Sequence, residues 1–121
     1  MTKVLVIDDE ASVRRLLKTA LGPHGLEIVE AESGKEGLYQ AIALRPDAIL
    51  LDWNMPVMSG IEFLEKLRQM PNGKNPKVVF CTTENDVGHI ARAMDSGADE
   101  YVMKPFDAEI IRGKLQQIGM L

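Results

Sequence analysis

Acidic, hydroxyl and ammonium side chains follow four apolar, strand-length segments of this chain. The five side chains are those of Asp8, Asp9, Asp52, Thr82 and Lys104. In an open α/β sheet, ligands bind at the carboxyl ends of parallel strands. If the four segments form parallel strands, these side chains converge at one edge of the sheet, around Asp52. The sequence therefore predicts a functional site at that edge.

The three acids in this set predict metal-assisted phosphoryl chemistry. Asp8, Asp9 and Asp52 would crowd three negative charges together, which is unfavourable unless a cation joins them. Oxygen ligands without a histidine or thiol favour a hard cation, and Mg²⁺ is the default one, with coordination positions left for water and phosphate oxygens. Asp52 could then be a nucleophile that forms an aspartyl phosphate. Lys104 and Thr82 would stabilise charge on the phosphoryl oxygens.

Each of these residues also has a simpler interpretation. Acids after strands often cap the following helix, which would account for Asp8 or Asp9 alone. Taken singly, Asp52 and Thr82 suit turns, and Lys104 suits a solvated surface charge. Their joint occurrence at successive strand ends favours one shared site over five unrelated roles.

The elements that position these residues follow from apolar patterning. Five apolar runs predict strands, at residues 3–7, 26–31, 48–52, 77–81 and 99–103. Acidic residues at the edges of the second run indicate a peripheral strand. Capping boxes at Ser33–Glu36 and Ser59–Glu62 predict two helix starts, and Asp107 is predicted to cap the last helix. Strands that alternate with helices predict an α/β fold, a parallel sheet with helices on both faces.

Apolar residues at helical spacing predict which side of each helix packs on the sheet. The predicted positions are Val13, Leu16, Leu17, Ala20 and Leu21; Leu38, Ala41 and Ile42; Ile61, Leu64 and Leu67; Val87, Ile90, Ala91 and Met94; and Ile111, Leu115 and Ile118. Cys81 lies inside an apolar run, which predicts a buried hydrophobe rather than a reactive thiol. His24 and His89 each stand alone, and we expect both at the surface.

Length and composition indicate one globular domain over residues 1–121. The net charge of -4 argues against a nucleic-acid-binding surface, and the single cysteine excludes an intramolecular disulfide. No apolar stretch has the length of a membrane span, and the N-terminus does not resemble a signal peptide. We therefore expect a cytoplasmic monomer with no attached output domain.

Four motifs in the sequence resemble those of a known protein family. They are Ile7-Asp8-Asp9, the segment from Asp52-Trp53-Asn54-Met55-Pro56 to Gly60, Thr82 after the fourth strand, and Tyr101-Val102-Met103-Lys104-Pro105-Phe106. In this order and spacing, over essentially the whole chain, they resemble the receiver domain of two-component response regulators, and most closely its single-domain CheY-like members. The resemblance implies a flavodoxin-like sheet of five parallel strands in the order 2-1-3-4-5.

The resemblance also implies roles for individual residues. Asp52 would accept a phosphoryl group from a phosphohistidine on a histidine kinase or histidine phosphotransferase. Asp9 and Asp52 would bind Mg²⁺ directly, with Asp8 acting mainly through water and the backbone carbonyl of Asn54 completing the protein ligands. Lys104 would contact the phosphoryl group, and its bond to Pro105 is a candidate cis peptide.

The remaining implications concern the switch and its output. Thr82 and Tyr101 would form the switch pair, although Tyr101 alone suits a half-buried strand aromatic. The target would bind the face of the fourth helix, fifth strand and fifth helix, where apolar and basic residues are interleaved: Ile90, Met94, Tyr101, Phe106 and Ile110 with Arg92, Lys104 and Arg112. Thr83 departs from the smaller residue of many relatives and would affect the lifetime of the phosphorylated state.

Several functions are compatible with such a switch. The leading hypothesis is a stand-alone regulator in chemotaxis, acting on the flagellar motor switch. The alternatives are a phosphorelay shuttle or phosphate sink, or a regulator of a kinase. Such a protein would not be an enzyme beyond catalysing its own phosphorylation and dephosphorylation. A remote alternative, a small Mg²⁺-dependent phosphohydrolase with an aspartyl-phosphate intermediate, needs a second acid where this chain has Asn54. A flavin-binding flavodoxin is disfavoured because Asp8 and Asp9 would repel a phosphate.

Overall fold

The structure is a computed structural model that describes residues 2–83 and 87–121. It contains five strands: β1 (Lys3–Ile7), β2 (Glu27–Ala31), β3 (Ala48–Asp52), β4 (Lys77–Thr82) and β5 (Glu100–Met103). Five helices alternate with them: α1 (Ala11–Leu21), α2 (Gly34–Leu44), α3 (Gly60–Gln69), α4 (Val87–Asp95) and α5 (Ala108–Gln117). A short 3₁₀ helix, Gly22–His24, lies between α1 and β2 where the sequence predicts a turn.

The strands form one parallel sheet in the order β2-β1-β3-β4-β5. The predicted flavodoxin-like α/β architecture is therefore confirmed, and β2 is an edge strand as expected. Because the strands are parallel, the carboxyl ends of β1, β3, β4 and β5 meet at one edge of the sheet.

Two apolar clusters, one on each sheet face, hold the helices to the strands. Alternate residues of each central strand enter opposite clusters, as the two-residue side-chain period of a strand requires. Leu5, Ile49 and Phe80 belong to the cluster that includes residues of α2 and α3. Val4 and Leu50 belong to the cluster that includes residues of α1 and α5. Both faces of β3 are buried, so Asp52 ends a strand that has no solvent-facing side.

The helix starts predicted from capping residues are confirmed. Ser33 Oγ accepts a hydrogen bond from the backbone N–H of Glu36 at 3.1 Å, and Ser59 Oγ accepts one from that of Glu62 at 3.3 Å. Asp107 Oδ1 accepts a third from Ile110 at 2.9 Å. These side chains satisfy backbone donors that a helix leaves unpaired in its first turn.

The predicted inward-facing stripes are wrong at four positions. Leu16 and Ile42 are exposed on α1 and α2, and Ala91 and Met94 are exposed on α4. Among the described side chains of α4, Ala93 is buried, with 1% exposure, and the pattern did not select it. The helix turns this small side chain toward the sheet, so two apolar neighbours project outward. The predicted position Val87 lies outside the described side chains.

One partly buried cation organises the amino-terminal end of β4. The guanidinium of Arg68 on α3 donates to the backbone carbonyls of Gly73, Pro76 and Gly97 and to the carboxylate of Asp99. It thereby ties α3 to the loops that precede β4 and β5. In the described ranges, no helix combines the length and the apolar character that a bilayer span requires.

Candidate active site

The predicted convergence of side chains is present where β1, β3 and β5 end. Asp8 and Asp52 are buried, with 2% and 6% exposure. Lys104 Nζ donates to Asp8 Oδ2 at 2.8 Å and to Asp52 Oδ1 at 3.1 Å. The three groups form a compact ion cluster at the predicted edge of the sheet.

Burial and charge perturb both partners in this cluster. The pKa of Asp52 is raised to about 6, first because the carboxyl is desolvated and second because Asp8 is negatively charged nearby. The Lys104 ammonium opposes this rise through its hydrogen bond and its charge. Burial acts to lower the pKa of Lys104, but its bonds to Asp8 and Asp52 outweigh that effect and raise it. Lys104 is therefore fully charged at neutral pH.

Asp9 lies beside Asp8 and is exposed, so one member of the acid group faces solvent. One oxygen each from Asp8, Asp9 and Glu10 can lie within 4.8 Å of the others, which is close enough to share a cation. Glu10 was not among the predicted ligands, although its position directly after the two aspartates in the sequence would have suggested it. Asp8 Oδ1 also accepts the backbone N–H of Glu10 at 2.9 Å, so Asp8 stabilises the local turn as well.

These residues fit a bound Mg²⁺ in chemical type. Carboxylate and carbonyl oxygens are the ligands that hard divalent cations prefer. The nearest thiol, Cys81, is fully buried, and burial raises its pKa to about 12, so it stays a protonated core side chain as predicted. Asn54, whose backbone carbonyl is a predicted ligand, is exposed in the loop after Asp52.

A second basic residue supports the acid cluster from α1. Arg14 Nη1 donates to the backbone carbonyl of Asp8 at 2.6 Å, and its Nε pairs with Glu30 of β2 at 3.2 Å. Sequence reasoning missed Arg14. Asp8 lies outside α1, and six residues is not the spacing of neighbours on a helix, so the sequence carried no local signal for this contact.

Thr82 ends β4 with 3% exposure, and its backbone carbonyl accepts the N–H of Lys104 at 2.8 Å. This backbone bond fixes the register between the threonine and the lysine. The predicted cis peptide between Lys104 and Pro105 is present. Thr83, next along the chain, is exposed and lines a groove of about 340 Å³ beside Lys104.

The aromatic residues near the site connect it to the core and to α4. Trp53 is 8% exposed and packs against Phe80 with ring centroids 4.9 Å apart. His89 is exposed, as predicted, but its ring also meets that of Trp53 edge-on at 5.4 Å. Tyr101 is half-buried on β5, and Lys114 Nζ lies 5.4 Å from its ring centroid. His24 is exposed in the 3₁₀ helix, far along the chain from these rings.

Comparison with known proteins agrees with this architecture. Residues 4–116 match the family model of the response regulator receiver domain. The KDP operon transcriptional regulatory protein KdpE of Escherichia coli is 40% identical over 116 residues, which cover 96% of this chain and 50% of that protein. The chemotaxis protein CheY1 of Helicobacter pylori is 33% identical over 118 residues, which cover 96% of this chain and 95% of that protein.

Solved structures show the same likeness in three dimensions. The chemotaxis response regulator CheY4 of Vibrio cholerae superposes with a TM-score of 0.93 at 35% identity, with 98% of each chain covered. The chain thus spans half the length of KdpE and nearly the whole length of CheY1. With its matching family model, sheet order and acid–lysine cluster, the chain belongs to the response regulator receiver domain family, whose members are signalling switches.

Proposed function

We propose that this protein is a phosphorylation switch in which Asp52 accepts a phosphoryl group from a phosphohistidine of a histidine kinase or histidine phosphotransferase. One observation carries the proposal: the Asp52 carboxylate is buried at a strand end with an ammonium, Lys104 Nζ, 3.1 Å away. A buried carboxylate next to a fixed cation is suited to receive and stabilise an added anionic group. In this proposal the protein acts in the cytoplasm.

The transfer requires little more than positioning and charge. An Asp52 oxygen forms a bond to phosphorus while the phosphorus–nitrogen bond of the donor breaks, and the imidazole leaves with the electron pair. Lys104 stabilises the negative charge on the phosphoryl oxygens, and the Thr82 hydroxyl donates to one of them. Freed from Asp52, the Lys104 ammonium keeps its bond to Asp8, which fixes its position during the reaction.

Asp8, Asp9, Asp52 and the backbone carbonyl of Asn54 would bind Mg²⁺, and Glu10 is close enough to Asp8 and Asp9 to share the ion with them. A bound ion would supply positive charge that offsets the negative charge of the phosphoryl oxygens. Among the carboxylates of this set, Asp9 and Glu10 are the exposed ones, so they would meet an entering hydrated cation first. Asp8 is buried between Arg14 and Lys104, which suits a role in orienting the cluster.

The proposed output is a change in affinity for a protein target. Phosphorylation would draw Thr82 toward the phosphoryl group and Tyr101 inward, a local charge change that biases a two-state element. The target would bind the face of α4, β5 and α5. On that face Met94 and Ile110 are 41% and 45% exposed, and the same elements carry Arg92 and Arg112, which suits an amphipathic acidic segment.

Among possible pathways, chemotaxis is our first choice. The observation that favours it is the match to CheY1 over nearly the whole of both chains. Control of the flagellar motor switch would follow. A phosphorelay shuttle, a phosphate sink or a kinase regulator is the second choice. Binding to a purified motor switch component, measured with and without phosphorylation, distinguishes the chemotaxis role from these three, because only the chemotaxis role requires it.

The test of the phosphoacceptor uses Trp53, the one tryptophan, which adjoins Asp52. We expect its fluorescence to change on addition of Mg²⁺ and again on addition of acetyl phosphate, with one phosphoryl group in the intact mass. Asp52→Asn should gain none. A phosphoryl group on Asp52→Asn would refute the assignment, as would failure of the unmodified protein to accept one from acetyl phosphate or from a histidine kinase.

The same experiment separates the switch from a phosphohydrolase. A hydrolase would release inorganic phosphate repeatedly from a phosphomonoester such as p-nitrophenyl phosphate. Asn54 occupies the position where such enzymes need a second acid and cannot protonate a leaving group. We therefore expect at most one phosphoryl group on each chain at any time and no multiple-turnover release of phosphate from the monoester.

A further inference from the structure

Tyr101 is contacted by a cation that neither the sequence motifs nor the family match singles out. Lys114 of α5 places its Nζ 5.4 Å from the centroid of the Tyr101 ring. An ammonium within about 6 Å of an aromatic centroid is attracted by the negative face of the ring. Tyr101 belongs to β5 and Lys114 to α5, so the contact joins the last strand to the last helix.

A carboxylate holds this lysine in place. Glu100 Oε1 lies 3.5 Å from Lys114 Nζ and also accepts the backbone N–H of Tyr101 at 3.0 Å. Both side chains of the ion pair are about three-quarters covered, at 24% exposure for Lys114 and 26% for Glu100. One carboxylate oxygen thus fixes both the backbone of Tyr101 and the cation beside its ring.

We propose that Lys114 is a positioning residue that, held by Glu100, stabilises the Tyr101 ring in the arrangement of the unphosphorylated site. That arrangement is the one in the structure, because Lys104 is still bonded to both Asp8 and Asp52. When Tyr101 turns inward, its ring leaves the ammonium and the contact is lost. Lys114 therefore opposes switching, and its charge sets how readily the site converts. This inference rests on the proposed function, since Tyr101 must move for the bias to matter.

The size of the expected effect follows from the exposure of the pair. A partly exposed cation–π contact changes a two-state equilibrium by about two- to fivefold. Lys114→Met removes the charge but keeps a long apolar side chain, so packing of the stem is retained. Lys114→Arg retains the charge and is the matched control. Glu100→Gln keeps the cation but weakens the group that fixes it.

The contact can be tested without any phosphoryl group. The chain has two tyrosines, Tyr39 and Tyr101, so fluorotyrosine labelling gives two ¹⁹F resonances, and Tyr39→Phe assigns them. Tyr39 is 67% exposed on α2 and is the internal reference. We expect Lys114→Met and Glu100→Gln to shift the Tyr101 resonance, with Lys114→Arg close to the unmodified protein. An unchanged Tyr101 resonance in Lys114→Met overturns the proposal.

The bias on switching is tested with beryllofluoride, a phosphoryl analogue, in the presence of Mg²⁺. Trp53 fluorescence and the Tyr101 resonance report the titration. The beryllofluoride concentration at half-saturation should fall about two- to fivefold in Lys114→Met and stay unchanged in Lys114→Arg. If the unmodified protein, Lys114→Met and Lys114→Arg reach half-saturation at the same beryllofluoride concentration, the proposal is overturned even if the resonance shifts. If the unmodified protein does not respond while Lys114→Met shifts the resonance, the proposed function fails, and the switching bias fails with it.

Discussion

Lys104 Nζ lies 3.1 Å from Asp52 Oδ1, although 52 residues separate them in the chain. The pair is buried, with side-chain exposures of 13% and 7%. A buried carboxylate that loses its cation is left with an uncompensated charge, and this is more damaging than the loss of a surface ion pair. The same contact that prepares the site for a phosphoryl group therefore also stabilises the unphosphorylated fold.

Lys104→Met should lower the free energy of unfolding by about 3 kcal/mol at pH 7 without divalent cations, because Asp8 and Asp52 stay buried without their cation. Urea unfolding measures the change. Lys74→Met, at an exposed lysine in the loop before β4, is the control and should alter stability by less than about 0.5 kcal/mol. Similar losses in the two variants would show that the Lys104 cluster adds nothing to stability.

Asp52→Asn should have the opposite effect at neutral pH in EDTA. The pKa of Asp52 is about 6 in the folded protein, against 3.8 for an unperturbed aspartate, so the folded state binds this proton more tightly. Stability from this group is therefore present below about pH 4 and is lost as the pH rises to about 6. One pKa unit corresponds to about 1.4 kcal/mol. The difference in the free energy of unfolding between the variant and the unmodified protein should therefore rise by about 3 kcal/mol, in favour of the variant, from about pH 4 to about pH 6. A stability difference that is constant from pH 4 to pH 7 would contradict this assignment.

Arg68→Met should destabilise the protein by about 3 kcal/mol, because the carbonyls of Gly73, Pro76 and Gly97 lose their buried donor. Hydrogen exchange should locate the damage at the amide of Val78, which donates to Asp99 Oδ2 at 2.8 Å. Lys66→Met, at an exposed position of the same helix, is the matched control. Faster exchange spread evenly over the sheet would argue against a local role for Arg68.

Val57→Asn is expected to stabilise the protein. Val57 has a φ of 70° and a fully exposed side chain, and the N–H of Met58 bonds to the carbonyl of Pro56 across it at 2.8 Å. The bond closes a three-residue γ-turn at positive φ, which is strained for a β-branched residue, whereas asparagine adopts positive φ more readily. We expect a gain of about 1 kcal/mol in the free energy of unfolding, measured by urea unfolding. Val57→Ala removes the branching but keeps most of the strain, so it should gain less than Val57→Asn.

Much of the fold was predictable because its signals are local. Strand runs and capping serines depend on residues a few positions apart, and these predictions are confirmed, with strand bounds correct to within one residue. The choice of helix face on α4 was not predictable. Ala91 and Met94 formed the better apolar stripe, yet the smaller Ala93 packs inward because it allows a closer approach to the sheet.

By itself, the sequence determined the parallel sheet, its flanking helices and the set of residues at the strand ends, because apolar periodicity and strand ends depend on residues that are close together in the sequence. Only the tertiary structure decided which charges meet. Lys104 joins Asp8 across 96 residues, Arg68 reaches Asp99 across 31, and Lys114 lies over Tyr101. These contacts depend on how β5, α3 and α5 pack around the sheet, and the energy of a charge depends on its burial, which no local pattern specifies.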